Sequence, residues 1–225
     1  MPYIPYKRKE DIGLSPYELK FRGQKKSENV QIRVMDFDLE EVREKKIIST
    51  DELTCYRQSD SITWINVDGL HNEQVIRDIS HIFSIPADIL SDVLEPGIRP
   101  QVEEFDNGFF VSIKMMDFDD KKNKVTVDNL GLIVMDNLLI TFQEEKGDVF
   151  DPVRDRIRKH KTKIRTSGAD YLAFALLDVV IDNYIYILGV YGEKIETLEG
   201  KIMMKTDKGM LKVINLFKYE LNNLR

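Results

Sequence analysis

The chemically loaded positions of this chain are acidic residues in unusual settings. Asp178 and Asp182 stand four apart in the run Tyr171–Tyr191 (YLAFALLDVVIDNYIYILGVY), so on a helix they share one face of an otherwise apolar segment. Like charges there repel, and a buried carboxylate is costly unless a cation, a hydrogen bond or a proton compensates it. A bound cation meets that demand, and so do hydrogen bonds from tyrosine hydroxyls or an arginine at a polar seam. Asp92 lies just before the stop Glu95-Pro96-Gly97; by residue type alone it is an ordinary surface aspartate. Glu193, Glu196 and Glu199, interleaved with Lys194 and Lys201, read as a solvated helix face.

Other chemistries lack their residues. The chain has no P-loop, Gly-rich dinucleotide fingerprint, nucleophile elbow or Cys-x-x-Cys pair, which argues against an enzyme. His71, His81 and His160 are far apart and beside no cysteine cluster, so they read as surface or core histidines rather than zinc ligands. Cys55 is the single cysteine, which excludes an internal disulfide framework and suits a reducing compartment. The basic run from Arg154 to Arg165 could hold phosphate or nucleic acid. No aromatic residue interrupts it for base stacking, and the formal net charge is −6, so a solvated helix is expected and no nucleic-acid partner. The N-terminus carries no apolar stretch of signal-peptide type. Tyr171–Tyr191 is long enough to span a bilayer, yet each aspartate would cost about 2.5–3.5 kcal/mol at its centre. A helix buried in a larger assembly is expected instead.

Residues 1–165 read as an α/β/α unit with a mixed, largely antiparallel sheet, and residues 166–225 as a long antiparallel helical hairpin. Gln31–Asp36 and Ile62–Val67 alternate as strands, with a short polar helix expected over Asp38–Lys45 between them. Helical spacing follows over His71–Phe83 and again from Pro86 to about Glu95. The period then becomes two. Val102–Phe105 and Phe109–Phe118 flank Asp106-Asn107-Gly108, a hairpin signal because Asn-Gly accepts positive φ. Asn129–Met135 and Leu138–Gln143 flank Asp136-Asn137, completing a four-stranded meander. Asp151-Pro152 opens a helix, Thr166-Ser167-Gly168 breaks it, and a long helix is expected from about Ala169 to Lys205. Its seam of Tyr184, Leu188, Tyr191, Ile195, Leu198 and Ile202 is matched, after the turn at 206–209, by Met210, Ile214, Phe217, Leu221 and Leu224. The second seam is still in phase at Arg225, so the helix is expected to continue.

Several segments resemble the CorA family of magnesium and cobalt channels. The run from Asp92 to Glu103 (DVLEPGIRPQVE) is similar to the family's aspartate-bearing helix leading into Arg-Pro-x-Val-Glu, and Phe142–Arg158 (FQEEKGDVFDPVRDRIR) resembles its most recognisable soluble segment. Thr63–Val67, Ala169–Leu172 and Gly13–Pro16 match as well. The resemblance implies the cytoplasmic regulatory part of a homopentameric channel for Mg²⁺, passing Co²⁺ or Ni²⁺ in some members. It would lie on the cytoplasmic side of a prokaryotic inner membrane, with the transmembrane helices beyond Arg225. Asp92 occupies the position of a regulatory Mg²⁺ ligand whose partner is an aspartate of the neighbouring subunit. Asp178 matches an acidic position of a second site, with the carbonyl of Leu14 nearby; Ser91 stands where some relatives carry an acid. Two other readings stay open: the same domain of a zinc-transporting relative, and a soluble hairpin interaction module.

Overall fold

The computed structural model describes residues 13, 19–23, 25–159, 163–204 and, singly, 212, 214, 215 and 218. Alternating apolar segments form strands β1 (Gln31–Phe37), β2 (Val42–Ile47), β3 (Ile62–Asp68), β4 (Gln101–Phe105), β5 (Gly108–Asp119), β6 (Lys124–Met135) and β7 (Leu138–Gln143). They make one seven-stranded sheet in the order β2-β1-β3-β7-β6-β5-β4. Neighbours are antiparallel except β3 and β7, which run parallel. After β3 the chain crosses through helices α1 (Glu73–Phe83) and α2 (Ala87–Val93) to the far edge. The meander β4–β7 then returns until β7 lies beside β3. These two central strands are buried along their whole length, which is why both read as near-continuous apolar runs.

Strand alternation divides the apolar residues into two cores. On one face Val34, Ile65, Val67, Phe110, Ile140 and Phe142 meet Ile76, Ile79, Ile89, Leu90 and Val93 of α1 and α2. On the other, Trp64, Leu132, Val134 and Leu139 meet α3 (Asp151–Lys159), α4 (Lys163–Thr166) and the first half of α5 (Ala169–Met204). The result is the expected helix–sheet–helix sandwich with the long helix α5.

Two expectations need correction, and one element was not expected. The helix expected over Asp38–Lys45 is a turn followed by β2: Asp38 Oδ1 accepts the amides of Glu40 and Glu41 at 2.7 and 2.8 Å, and Val42–Ile47 pairs with β1. β2 is an edge strand, so its charged side chains stay in water and hide the alternation. A 3-10 turn over Thr50–Tyr56 was not anticipated, although its capping box, Ser49 with Glu52, is legible as a motif. The β4–β5 hairpin forms, but neither Asn107 nor Gly108 is among the positive-φ residues. Gly108 serves close approach instead, since a Cβ there would lie 2.0 Å from the Val134 carbonyl oxygen. Gly108→Ala should therefore cost about 1–3 kcal/mol in urea unfolding; a neutral result would show that β5 and β6 can separate locally without loss.

Helix α5 has two apolar sides. Leu172, Ala173, Leu176 and Val180 pack on the sheet, and farther along Ile187 and Tyr191 pack with Phe118. Tyr184 Oη donates to the Lys114 carbonyl. The opposite side exposes Phe174, Ile181, Ile185 and Leu188. The seam expected on this helix is thus split, with Tyr191 buried and Leu188 in solvent. By length and composition α5 could cross a membrane, but its sheet-facing side is built into the core. The turn at 206–209 and Met210, Phe217, Leu221 and Leu224 lie outside the described residues, so the second arm of the hairpin is not described as a unit.

Candidate metal site

Asp92 owes its place to α2. Pro86 starts this short helix, Ile89, Leu90 and Val93 anchor it in the first core, and Asp88 and Asp92, one turn apart, remain partly or fully exposed. Strand β4 approaches from the sheet edge, and Gln101 Nε2 donates to Asp92 Oδ2 at 2.7 Å. Glu103, two residues along β4, comes within hydrogen-bonding reach of the Asp92 carboxyl. Partial burial raises the Asp92 pKa; the Gln101 bond opposes that, while the charges of Asp88 and Glu95 add to it. Glu103 is raised too, by desolvation and then by Asp92 and Asp88. Glu95 itself pairs with Arg22 Nη1 at 2.5 Å. Among the described residues no ion pair reaches Asp92. The arrangement is an excess of carboxylate oxygen at the protein surface, where a cation supplied from outside would relieve the repulsion.

Asp178 is exposed on α5, in the stripe Phe174, Asp178, Ile181, Ile185 and Leu188. The buried polar seam left open from sequence is not its environment. Asp92 belongs to a helix on one face of the sheet and Asp178 to a helix on the other, so the sheet separates them within one chain. Leu14 lies outside the described residues. Asp182 lines an open cleft of about 490 Å³ with Asp117, Asp148, Asn183 and Tyr186. Among the described residues no three acidic, histidine or cysteine side chains converge enough to hold an ion.

Gln101, Glu103 and Asp88 were not singled out from the sequence. The spacing of Asp88 and Asp92 was a readable sign; the contribution of β4 depends on tertiary packing. Five members of the basic run, Arg154, Arg158, Lys159, Lys163 and Arg165, are engaged within the fold, while Arg156 is exposed. Arg154 binds Asp148, Arg158 grips Glu44 through Nε and Nη2 at 2.6 and 2.9 Å, and Lys159 pairs with Asp155 at 2.6 Å. Arg165 Nε donates to the Ile157 carbonyl at 2.6 Å, and Lys163 Nζ lies 4.9 Å from the ring centroid of Tyr171. His160 and Lys161 lie outside the described residues.

Residues 59–225 match the family profile described as CorA-like Mg2+ transporter protein. The chain is 35% identical over 213 residues to the cobalt/magnesium transport protein CorA of Thermotoga maritima, covering 95% of this chain and 60% of that relative. Its fold is similar to the soluble domain of CorA from Methanocaldococcus jannaschii, with a TM-score of 0.62 at 22% identity over 84% of this chain and 70% of the other. It is also similar to the ZntB cytoplasmic domain from Vibrio parahaemolyticus, with a TM-score of 0.58 at 12% identity, covering 83% and 70% of the two chains.

Proposed function

The chain belongs to the CorA-like Mg²⁺ transporter family, and from that premise we propose that it is the cytoplasmic Mg²⁺-sensing and gating part of a pentameric divalent-cation channel. The observation that carries the proposal is the carboxylate excess around Asp92, exposed at the surface with Gln101 as its neutral partner. Mg²⁺ is a hard ion that keeps several waters and needs one or two carboxylates, so a half-site on each of two subunits suffices. Asp92 supplies one half and a carboxylate of the adjacent subunit the other. Asp178, on the opposite face of the sheet, would serve a second site with the Leu14 carbonyl; because the sheet separates it from Asp92, neighbouring sites arise only between subunits. Bound Mg²⁺ would then favour the closed assembly, and its loss would let facing carboxylates repel and the subunits splay. Transport of Mg²⁺ and Co²⁺, the pentamer and placement at the inner face of a prokaryotic plasma membrane belong to this proposal.

The fold shared with the ZntB domain does not select the ion. The carboxyl groups that act on Asp92, those of Asp88 and Glu103, are hard oxygen donors, which supports a hard cation over zinc as the ion sensed there.

In the assembled membrane protein, millimolar Mg²⁺ should slow proteolysis of this domain, and Asp92→Ala should move the midpoint of protection at least about tenfold upward, a change of roughly 1.4 kcal/mol in ion binding. An unchanged midpoint would remove Asp92 as the sensor.

A further inference from the structure

A second cluster of titratable groups lies away from the Asp92 site, where the N-terminal segment meets the middle of β6 and the end of β7. Lys26 Nζ stands 3.2 Å from Asp128 Oδ1 and 3.3 Å from Glu144 Oε1, and both carboxyl side chains are 8% exposed. The two carboxyl groups are within hydrogen-bonding reach of each other. Asp128 also accepts the amides of Asn129 at 2.9 Å and Glu145 at 3.4 Å. From β5, Lys114 faces the same pair and donates to Asn129 Oδ1 at 3.0 Å and to the Pro96 carbonyl at 2.6 Å. Two buried carboxyl groups therefore share the ion pair of Lys26, a lysine carried by a separate segment, with Lys114 of β5 facing them as well.

That segment is a strap over α1 and α2. Arg77 Nη2 donates to the Leu19 carbonyl at 3.1 Å, the Phe21 amide donates to Glu73 Oε1 at 2.9 Å, and the Arg22 amide donates to the Leu94 carbonyl at 3.0 Å. Leu94 and Glu95 lie two and three residues after Asp92, just past the end of α2, so the strap is tied to the end of the helix that carries Asp92.

We propose that Lys26, Asp128 and Glu144 form a proton-operated latch that holds this strap to the sheet when Glu144 is neutral and loosens it when Glu144 ionises. The geometry supplies the reason. With Glu144 neutral, one proton serves the carboxyl pair and Lys26 balances the remaining charge. Ionisation adds a second negative charge to a nearly water-free site that Lys26 and Lys114 face from two sides, and hydrating Glu144 requires lifting the strap. Burial, opposed by Lys26 and reinforced by Asp128, pushes the Glu144 pKa up to about 7, so the change falls at physiological pH. The sign follows from linkage. Glu144 holds its proton more tightly when buried than when exposed, so the closed strap is favoured at lower pH and loses that advantage as pH rises toward and through 7.

The test is hydrogen exchange on the metal-free chain, corrected for the intrinsic pH dependence, at the Phe21 and Arg22 amides and across residues 25–30. If opening returns Glu144 to ordinary carboxylate behaviour, the opening equilibrium should rise about tenfold between pH 6 and pH 8. E144Q should show no such step. A step unchanged in E144Q, or protection that increases with pH, would overturn the latch. Carboxyl ¹³C NMR of the unmutated chain tests the same claim without a variant: a Glu144 midpoint near 7 supports it, and one in the ordinary carboxylate range sinks it. K26M should move that midpoint upward, and an unmoved midpoint would remove Lys26 from the device. Any bearing of the strap on ion sensing rests on the assignment of Leu14 and Asp92 as ligands. The latch does not, because metal-free exchange can fail while Asp92-dependent Mg²⁺ protection persists, and the reverse.

Discussion

Asp148→Asn should lower the unfolding free energy by about 3–5 kcal/mol, and the thermal midpoint by roughly 10 °C. Asp148 sits between the end of β7 and the start of α3 and accepts Arg154 Nη1 and Nη2 at 2.6 and 2.5 Å, the Phe150 amide at 3.0 Å and Arg33 Nη2 at 3.4 Å. Its side chain is 2% exposed and that of Arg154 8%, so neither charge has water to fall back on. Arg154 also lies 4.8 Å from the ring centroid of Trp64, whose indole Nε1 donates to Thr141 at 3.0 Å in the wall of the second core. Burial alone would raise the Asp148 pKa, but the Arg154 hydrogen bonds and charge outweigh it and hold the carboxyl below its ordinary value. Stability from a depressed carboxylate is present above the unfolded pKa and lost as pH falls through the folded one. The deficit of Asp148→Asn is therefore expected in full at pH 7 and should shrink as the pH drops below the ordinary carboxylate range, where the unmutated chain loses the same charge. Removing both partners in Asp148→Asn with Arg154→Met should cost less than the sum of the single changes, because no charge is left stranded. Additive costs would show that the two side chains do not act as a pair.

That pair illustrates which parts of the molecule sequence reading reaches. Strands β3, β4, β5 and β7, the second half of β6 and the whole of α5 follow from periodicity and turn residues, because the alternation that places a side chain in one core or the other is written locally; the first half of β6, Lys124–Asp128, was not expected as strand. β2 escaped, since an edge strand keeps charged residues in water and loses its apolar signature. Arg154 was grouped with its basic neighbours because nothing local separates a buried arginine from a solvated one; Trp64 and Asp148 do so only after β3, β7 and α3 are assembled. The same limit applies at Asp92. Asp92 was singled out through resemblance to a family, but Gln101 and Glu103 reach it only because β4 pairs at the sheet edge beside α2. For α5 the difficulty is of another kind. Both of its long sides are apolar, so hydropathy cannot say which one faces the sheet, and Asp178 and Asp182 were the local marks of the outward side.

The outward assignment makes a sharp contrast testable on one helix. Leu176 is 0% exposed and packs in the second core, whereas Ile181, five residues later, is 49% exposed. Leu176→Asp removes a buried side chain and puts a carboxylate into the apolar core that holds Trp64, Leu132, Leu172 and Val180. The lost burial and the stranded charge together should cost at least about 4 kcal/mol, enough to unfold much of the domain or to free the first half of α5 from the sheet. Ile181→Asp makes the same chemical change where water already reaches the side chain, and its cost should stay within about 0.5 kcal/mol. Urea unfolding followed by the fluorescence of Trp64, the single tryptophan of the chain, reads both variants with a probe in the affected core. Equal losses at the two positions would mean that the side carrying Asp178 is buried as deeply as the side carrying Leu176. A large loss at Leu176 with none at Ile181 would leave Asp178 on an accessible face, as the proposed second metal site requires.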